Sequence, residues 1–180
     1  AAAVLNNAFS VAGGDGKTLI ATDHPLGGGG SLANRATTMA DLNETSLEDN
    51  LIGISTFTDD RGLNIALRGM KLIVPPQLVF VADRLLNSPG RTATSDNDIN
   101  AINNMNSMLP NGYVVNHYLT DTDAYFIKTD CPDGFKYFER SPMQTALEGD
   151  FDTGNMRYKA RERYSFGYSN FRAVFGSQGA

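Results

Sequence analysis

The chain has 180 residues, 41% of them apolar, with 15 basic against 20 acidic side chains and a net charge of −5. This length suits one domain or one lobed fold, burying roughly 70% of the unfolded chain's surface, and the apolar share excludes disorder. No run of 18 apolar residues would span a membrane, no secretory leader is read at the front, and the acidic balance argues against a general nucleic-acid binder.

The single cysteine, Cys131, excludes an internal disulfide framework and fits a reducing compartment. With two histidines beside it, a zinc site would need carboxylates to complete it. Charge is unevenly spread. Residues 1–90 carry 6 basic and 9 acidic groups, residues 91–150 carry 4 and 9, and residues 151–180 carry 5 and 2. An acidic middle and a basic tail would attract each other, within one molecule or between neighbours, and salt would weaken that attraction where it is exposed.

In chain order, the segment from Ala1 to Phe9 reads as helix without an N-cap. It is expected to be the end of a longer helix, which would make the chain a fragment or a processed product. Gly13-Gly14-Asp15-Gly16 is a turn, Lys17 to Thr22 a short strand, and Gly27 to Gly30 a loop without side chains to pack. Thr45 and Glu48 form a capping-box pattern for a helix carrying Leu47, Leu51 and Ile54, with Gly62 as its stop. Met70 to Val74 is a buried strand ended by Pro75-Pro76. A helix through Leu78, Ala82, Leu85 and Leu86 follows and closes at Pro89-Gly90. A third helix is expected from Asp98 to Met108, with Ile99, Ile102 and Met105 on one face. Tyr113 to Val115 and Ala124 to Ile127 are strands with a turn at Asp121-Thr122-Asp123. Pro132-Asp133-Gly134 turns into Phe135 to Phe138. The class is α+β, and no 20–50-residue repeat is present.

The tail alternates strictly from Met156 to Tyr168. Met156, Tyr158, Ala160, Tyr164, Phe166 and Tyr168 fall on one face, and Arg157, Lys159, Arg161 and Arg163 on the other. Period two over this span predicts a long strand of roughly 40 Å with one half-buried face. Glu162 interrupts the apolar face and needs a partner, either a flanking arginine or a residue of another chain. After Ser169-Asn170 the phase flips to Phe171, Ala173 and Phe175, which predicts a bulge or bend. Four cations on one strand face repel one another unless water or acidic groups answer them. A solvated face, an ion-pair surface between subunits and a phosphate site are all open readings.

No motif assembles an active site. Gly13 to Thr18 resembles a phosphate loop but has Val11 where the first glycine belongs, and it precedes a strand. Asp96-Asn97-Asp98 resembles a calcium loop but lacks the required glycine and glutamate, so helix capping by Asp96 or Asp98 is the expectation. Asp121 and Asp123 could do acid–base work, yet aspartate is also an ordinary turn residue. His24 and His117 read as packed or hydrogen-bonded side chains, His117 in a strand. Cys131, with no basic neighbour in sequence, reads as a structural thiol.

The run from Tyr158 to Ser177 resembles the C-terminal end of tailed-phage major capsid proteins, with the Mu-like major head subunits as the nearest group. Lys71-Leu72-Ile73-Val74-Pro75-Pro76, Thr94 to Ala101, and Asp150 to Asn155 extend the likeness over most of the chain. The resemblance implies the Hong Kong 97-type capsid fold. Residues 1–66 and 134–180 would form its peripheral domain and residues 67–133 its axial domain. Residues 1–9 would be the last turns of the spine helix, and the N-terminal arm, the extended loop and the rest of that helix are not in this sequence. It further implies no catalysis, no cofactor and no metal, a place in the virion, and assembly in the host cytoplasm. The partners would be copies of itself in hexamers and pentamers around double-stranded DNA, with scaffolding, portal and decoration proteins as further ones.

The residues' own pattern agrees with a shell tile, since a long strand with segregated charge and no active site suits an interface. An acidic subunit also suits a wall that must not grip packaged phosphates. The expected subunit contact is Arg157, Lys159, Arg161, Glu162 and Arg163, with acidic partners among Glu139, Glu148, Asp150 and Asp152. The rival readings are a β-rich ligand-binding module using the aromatic tail and a hydrolase using Asp121 and Asp123.

Overall fold

A computed structural model describes residues 2–91, 98–104, 108–149 and 151–180. Its centre is a four-stranded mixed sheet in the order β4-β3-β5-β8. The strands are β3 (Gly69–Val74), β4 (Tyr113–Val115), β5 (Tyr125–Thr129) and β8 (Val174–Ser177). β3 runs parallel to β4 and antiparallel to β5, and β8 is antiparallel to β5. The parallel pair requires a long crossover. It is built from a 3₁₀ turn (Pro76–Leu78), helix α3 (Val79–Asn87) and the short helix α4 (Ala101–Asn104).

The sheet is covered on both faces, so its central strands are apolar on both sides. Tyr125, Ile127, Leu72, Val74 and Phe175 point into one cluster, with Leu47, Leu51 and Ile54 of α2 (Glu44–Ser55) and Ala82 and Leu85 of α3. Ala124, Phe126 and Val174 point the other way, against Leu5 of α1 (Ala2–Asn6) and Ala8, Leu19 and Ile20. Tyr125 is buried with its hydroxyl satisfied by the Asn50 amide at 2.9 Å. Gly53 lets α2 lie close on the sheet, because a Cβ there would come within 3.1 Å of the Phe175 ring.

Several expectations change at this level. The capping box of α2 is Asn43 with Ser46, not Thr45 with Glu48. Asn43 Oδ1 accepts from the Ser46 N–H at 2.8 Å, and Ser46 Oγ accepts from the Asn43 N–H at 3.0 Å. Thr45 lies inside the first turn, and the helix stops at Ser55, well before Gly62. Lys17 to Thr22 forms no strand, only one bridge from Thr18 to Ala12. Gly27 to Gly30 closes the small hairpin of β1 (His24–Pro25) and β2 (Ser31–Leu32), with Gly29 and Gly30 at positive φ. The helix expected from Asp98 begins only at Ala101, and Asn100 caps it by accepting from the Ile102 N–H at 3.0 Å. Asn100 also ties the two helices together, donating to the carbonyls of Leu85 at 2.7 Å and Ser88 at 3.0 Å. Ile99, expected on an apolar helix face, is exposed. Asp96 and Met105 lie outside the described residues. His117 sits in an exposed turn past β4.

Candidate assembly surface

Two long strands leave the body together. β6 (Phe135–Gly149) has 15 residues and β7 (Met156–Tyr168) has 13, and among the described residues they pair only with each other. The alternation in the tail located β7 to the residue. β6 was legible only at Phe135 to Phe138. Two register shifts break its phase, one between Glu139 and Ser141 and one between Ser141 and Gln144. Pro142 sits within the second, where a missing N–H is tolerated.

The half-buried face expected of β7 is not half-buried in the single chain. Every residue from Met156 to Phe166 is exposed, on both faces. The reason is the partner strand. The tail pairs in a two-stranded ribbon that, beyond its root, has no layer behind it among the described residues, where the alternation alone suggested a half-buried face. On one face Phe135 pairs with Tyr168, Tyr137 with Phe166, Leu147 with Tyr158, and Gly149 with Met156. The rings of Tyr137, Tyr164 and Phe166 form a triangle with centroids 5.2 to 5.9 Å apart. On the other face Arg157 pairs with Glu148, Lys159 with Ala146, Arg161 with Gln144 and Arg163 with Ser141. The turn at the tip carries Phe151, 100% exposed.

The structure therefore gathers Arg157, Lys159, Arg161 and Arg163 on one exposed face. Glu148 lies directly across from Arg157, inside the same molecule. Glu139 lies across from Tyr164 on the aromatic face, and Asp152 is in the exposed tip turn. Asp150 lies outside the described residues. Glu162 has no ion pair with Arg161 or Arg163 among the described residues, because successive strand residues point to opposite faces. It stands opposite the bulge at Pro142 and Met143. Partial burial among its neighbours pushes the Tyr137 hydroxyl above the usual range, with the charges of Glu139 and Glu162 adding to the effect.

The ribbon's root is held firmly. Tyr168 packs so close to Gly13 that any Cβ there would overlap its hydroxyl. The Ser169 N–H donates to the Gly134 carbonyl at 2.9 Å. The predicted bend after Asn170 is a 3₁₀ turn (Phe171–Ala173) that returns the chain to the body as β8. Phe171 stacks on the buried His24 ring at 3.9 Å and 5°, and His24 Nδ1 is 2.6 Å from Asp15 Oδ2. Arg172 is buried. Its Nε donates to the Thr58 carbonyl at 2.9 Å and its Nη2 to Asp60 Oδ1 at 2.8 Å. Asn34, fully buried, accepts from the Ala21 N–H at 2.9 Å, and its Nδ2 lies 2.7 Å from the Leu19 carbonyl and 3.1 Å from those of Phe171 and Val174. Neither Asn34 nor Arg172 stood out in sequence, because their partners lie more than 100 residues away for the tail contacts.

The other candidate groups take structural roles. Asp121 Oδ1 accepts from the backbone N–H groups of Asp123 at 3.1 Å and Ala124 at 3.3 Å, and Asp123 accepts from the Thr122 hydroxyl at 3.1 Å. Only Asp121 of the two borders the neighbouring cavity of about 230 Å³. Cys131 does have a basic neighbour, Arg172, which sequence did not disclose. Burial still pushes its thiol up, Asp130 and Asp133 add to that, and Arg172 only partly offsets it. Among the described residues no group of three His, Cys, Asp or Glu side chains could hold a metal ion. Among the described residues no helix is long and apolar enough to cross a membrane.

Residues 1–176 match the family described as "Phage capsid protein". The chain belongs to that family. Phage capsid proteins are structural components of virions, so the exposed ribbon belongs to a protein of a structural, shell-forming kind. No curated protein matches the chain. Among solved structures the chain is similar to one titled "Crystal structure of virus-like particle from Pyrococcus furiosus". The identity is 12% and the TM-score 0.47, and the match covers 79% of this chain and 55% of that one.

Proposed function

We propose that this phage capsid protein is a major coat subunit that assembles into the hexamers and pentamers of an icosahedral head around double-stranded DNA. The observation that carries the reading is the ribbon. It presents an aromatic face and a cationic face, both exposed, from a rigidly anchored root. A two-stranded ribbon is marginal in water by itself, and exposed apolar surface of this extent marks an interaction site. Neighbouring subunits would cover it, with interfaces of about 2,000 Å² or more typical of permanent assemblies. In the Hong Kong 97-type arrangement, residues 1–66 and 134–180 would be peripheral and residues 67–133 axial. The acidic body suits DNA enclosure without tight binding. Scaffolding, portal and decoration proteins would be further partners in this role, and the host cytoplasm would be the place of assembly.

Arg161→Glu tests the contact. It reverses a charge in the middle of the cationic face, where Arg161 pairs with Gln144 and has no ion-pair partner among the described residues. Electron microscopy of the full-length protein should show closed shells for the parent and few for the variant, with the subunit's circular dichroism unchanged. Normal shell yield from the variant removes the cationic face from the interface. A parent that stays a discrete monomer at high concentration removes the coat reading and returns the ribbon to a ligand platform.

A further inference from the structure

Helix α1 is short, and beside it, toward β4, the second face of the central sheet opens into a cavity of about 380 Å³. Its walls are Leu5 of α1, Ile73 of β3, Val114 of β4, Tyr118 and Phe135, with Lys128 of β5 among them. Val114, Tyr118 and Phe135 are exposed. A dry apolar cavity of roughly 150 Å³ already holds a benzene ring, so this one has room for a phenyl side chain. It is also cationic. Lys128 lies directly across from Lys71, an arrangement that like charges oppose, and neither has an ion pair among the described residues. The carboxylates that follow Lys128 in the chain are taken, Asp130 by Arg68 at 3.5 Å and Asp133 by Lys136 at 2.6 Å.

Such a place fits an apolar ring flanked by carboxylates. Among the exposed large apolar side chains of the described residues, Phe151 alone stands between two acidic neighbours in sequence, Asp150 and Asp152. Residues 148–152 hold three carboxylates and no base, and only Glu148 faces a cation, Arg157, across the ribbon's ladder. Other cavities suit this tip less. The one between α2 and α4 is rimmed by Glu48, the one beside Leu119 carries Asp121, and the groove under Tyr168 has no charged residue to answer the carboxylates. The cationic cavity borders Phe135, at the root of the ribbon, and Phe151 stands at its tip, roughly 40 Å away along two paired strands. The ribbon cannot reach its own root, so the occupant comes from a second copy.

We propose that Phe151 of one copy seats in the cavity at the ribbon root of a second copy, with the carboxylates beside it meeting Lys71 and Lys128. The inference rests on the coat reading and adds to it which two surfaces meet. The phenyl group supplies the burial, and the two lysines select an acidic tip and fix its orientation. A tip-to-root contact joins unlike surfaces, so repeating it builds a closed ring of subunits wherever the rotation closes.

The test is a mixed cross-link in the full-length protein with Cys131→Ser as background. One chain carries Asn155→Cys beside the tip, the other Thr120→Cys, two residues past Tyr118; both positions are exposed, so folding is spared. A short bifunctional maleimide should join the two chains. Adding Phe151→Ser to the first chain should cut the yield by about tenfold or more, as loss of a buried anchor does. Lys128→Glu in the second chain should also cut it, without lowering the Tm of the dispersed subunit, because the change relieves the like-charged pair with Lys71. Lys128→Arg should keep the yield. Shells that form without the mixed cross-link, or a yield indifferent to Phe151→Ser or to Lys128→Glu, overturn the contact and leave the coat reading in place, the cavity then belonging to another occupant. A parent chain that never associates overturns both.

Discussion

The root of the ribbon depends on a few polar side chains whose loss is costly because they are buried. Asn34→Ala would leave the Ala21 N–H and the carbonyls of Leu19, Phe171 and Val174 without their partner. Unsatisfied buried groups cost about 1–3 kcal/mol each, shared here among partners that relax, so a loss of about 3 kcal/mol is expected. For a domain of this size that is a fall in Tm of roughly 6–12 °C, readable by calorimetry on dispersed subunits. A loss under about 1 kcal/mol would mean that the hub is redundant. The Cys131 thiol, pushed up by burial, should react slowly with iodoacetamide at neutral pH and quickly once urea unfolds the chain. Asp15 gives a pH signature. Burial raises its carboxyl, but the hydrogen bond from His24, the backbone N–H of Lys17 and the His24 charge together bring it below the usual range. A depressed carboxylate stabilises the fold above its unfolded pKa of about 3.9 and loses that contribution as pH falls through the lower folded value. The stability gap between the parent and Asp15→Asn should therefore be full at pH 6 and close toward pH 2. A gap that persists at pH 2 would place its origin elsewhere. The roles of Asn34 and Arg172 were not readable from local sequence, since both act on partners brought near by the fold, whereas Cys131 already read as a structural thiol. The turn roles of Asp121 and Asp123 were readable, because such bonds close within three residues.

At the level of elements, the legible parts were those with an unbroken period. β7, β3 and β5 follow from alternation or from compact apolar runs bounded by turn residues. β6 did not, because its bulges and Pro142 scramble the pattern in the middle of the strand. Helix starts were misplaced by two or three residues because Asn43 and Asn100 cap as well as the threonine and aspartate that drew attention. The exposure of β7 could not have been foreseen from one strand, since alternation reports two unlike faces and not what covers them. The ribbon has a dynamic corollary. Amides of β6 and β7 should exchange with deuterium far faster than those of β5 in dispersed subunits, and slow markedly in assembled shells. Equal protection in both states would mean that the ribbon is not part of the contact.

For the whole molecule, the division of charge sets the response to salt. Residues 1–150 are acidic and residues 151–180 basic, with the excess cations standing on the ribbon. Attraction between exposed groups decays over about 10 Å at 0.1 M salt and about 3 Å at 1 M. Assembly followed by light scattering should slow as salt rises over that range, while preformed shells, held also by apolar contacts, should persist. A rate indifferent to salt would mean that the cationic face meets water and not protein.

The two bulges of β6 have one more effect. Each adds a residue to β6 alone, so each shifts the alternation of β6 by one against β7 beyond that point. With every residue kept, a lone bulge would set Leu147 opposite Arg157 and Glu148 opposite Met156. A second one undoes the swap, and the greasy side runs from Phe135 to Gly149 only because the insertions come as a couple. Removing Met143 would take out the second bulge together with its extra residue and keep Leu147 opposite Tyr158, whereas straightening that bulge with Met143 kept would turn Leu147 toward Arg157.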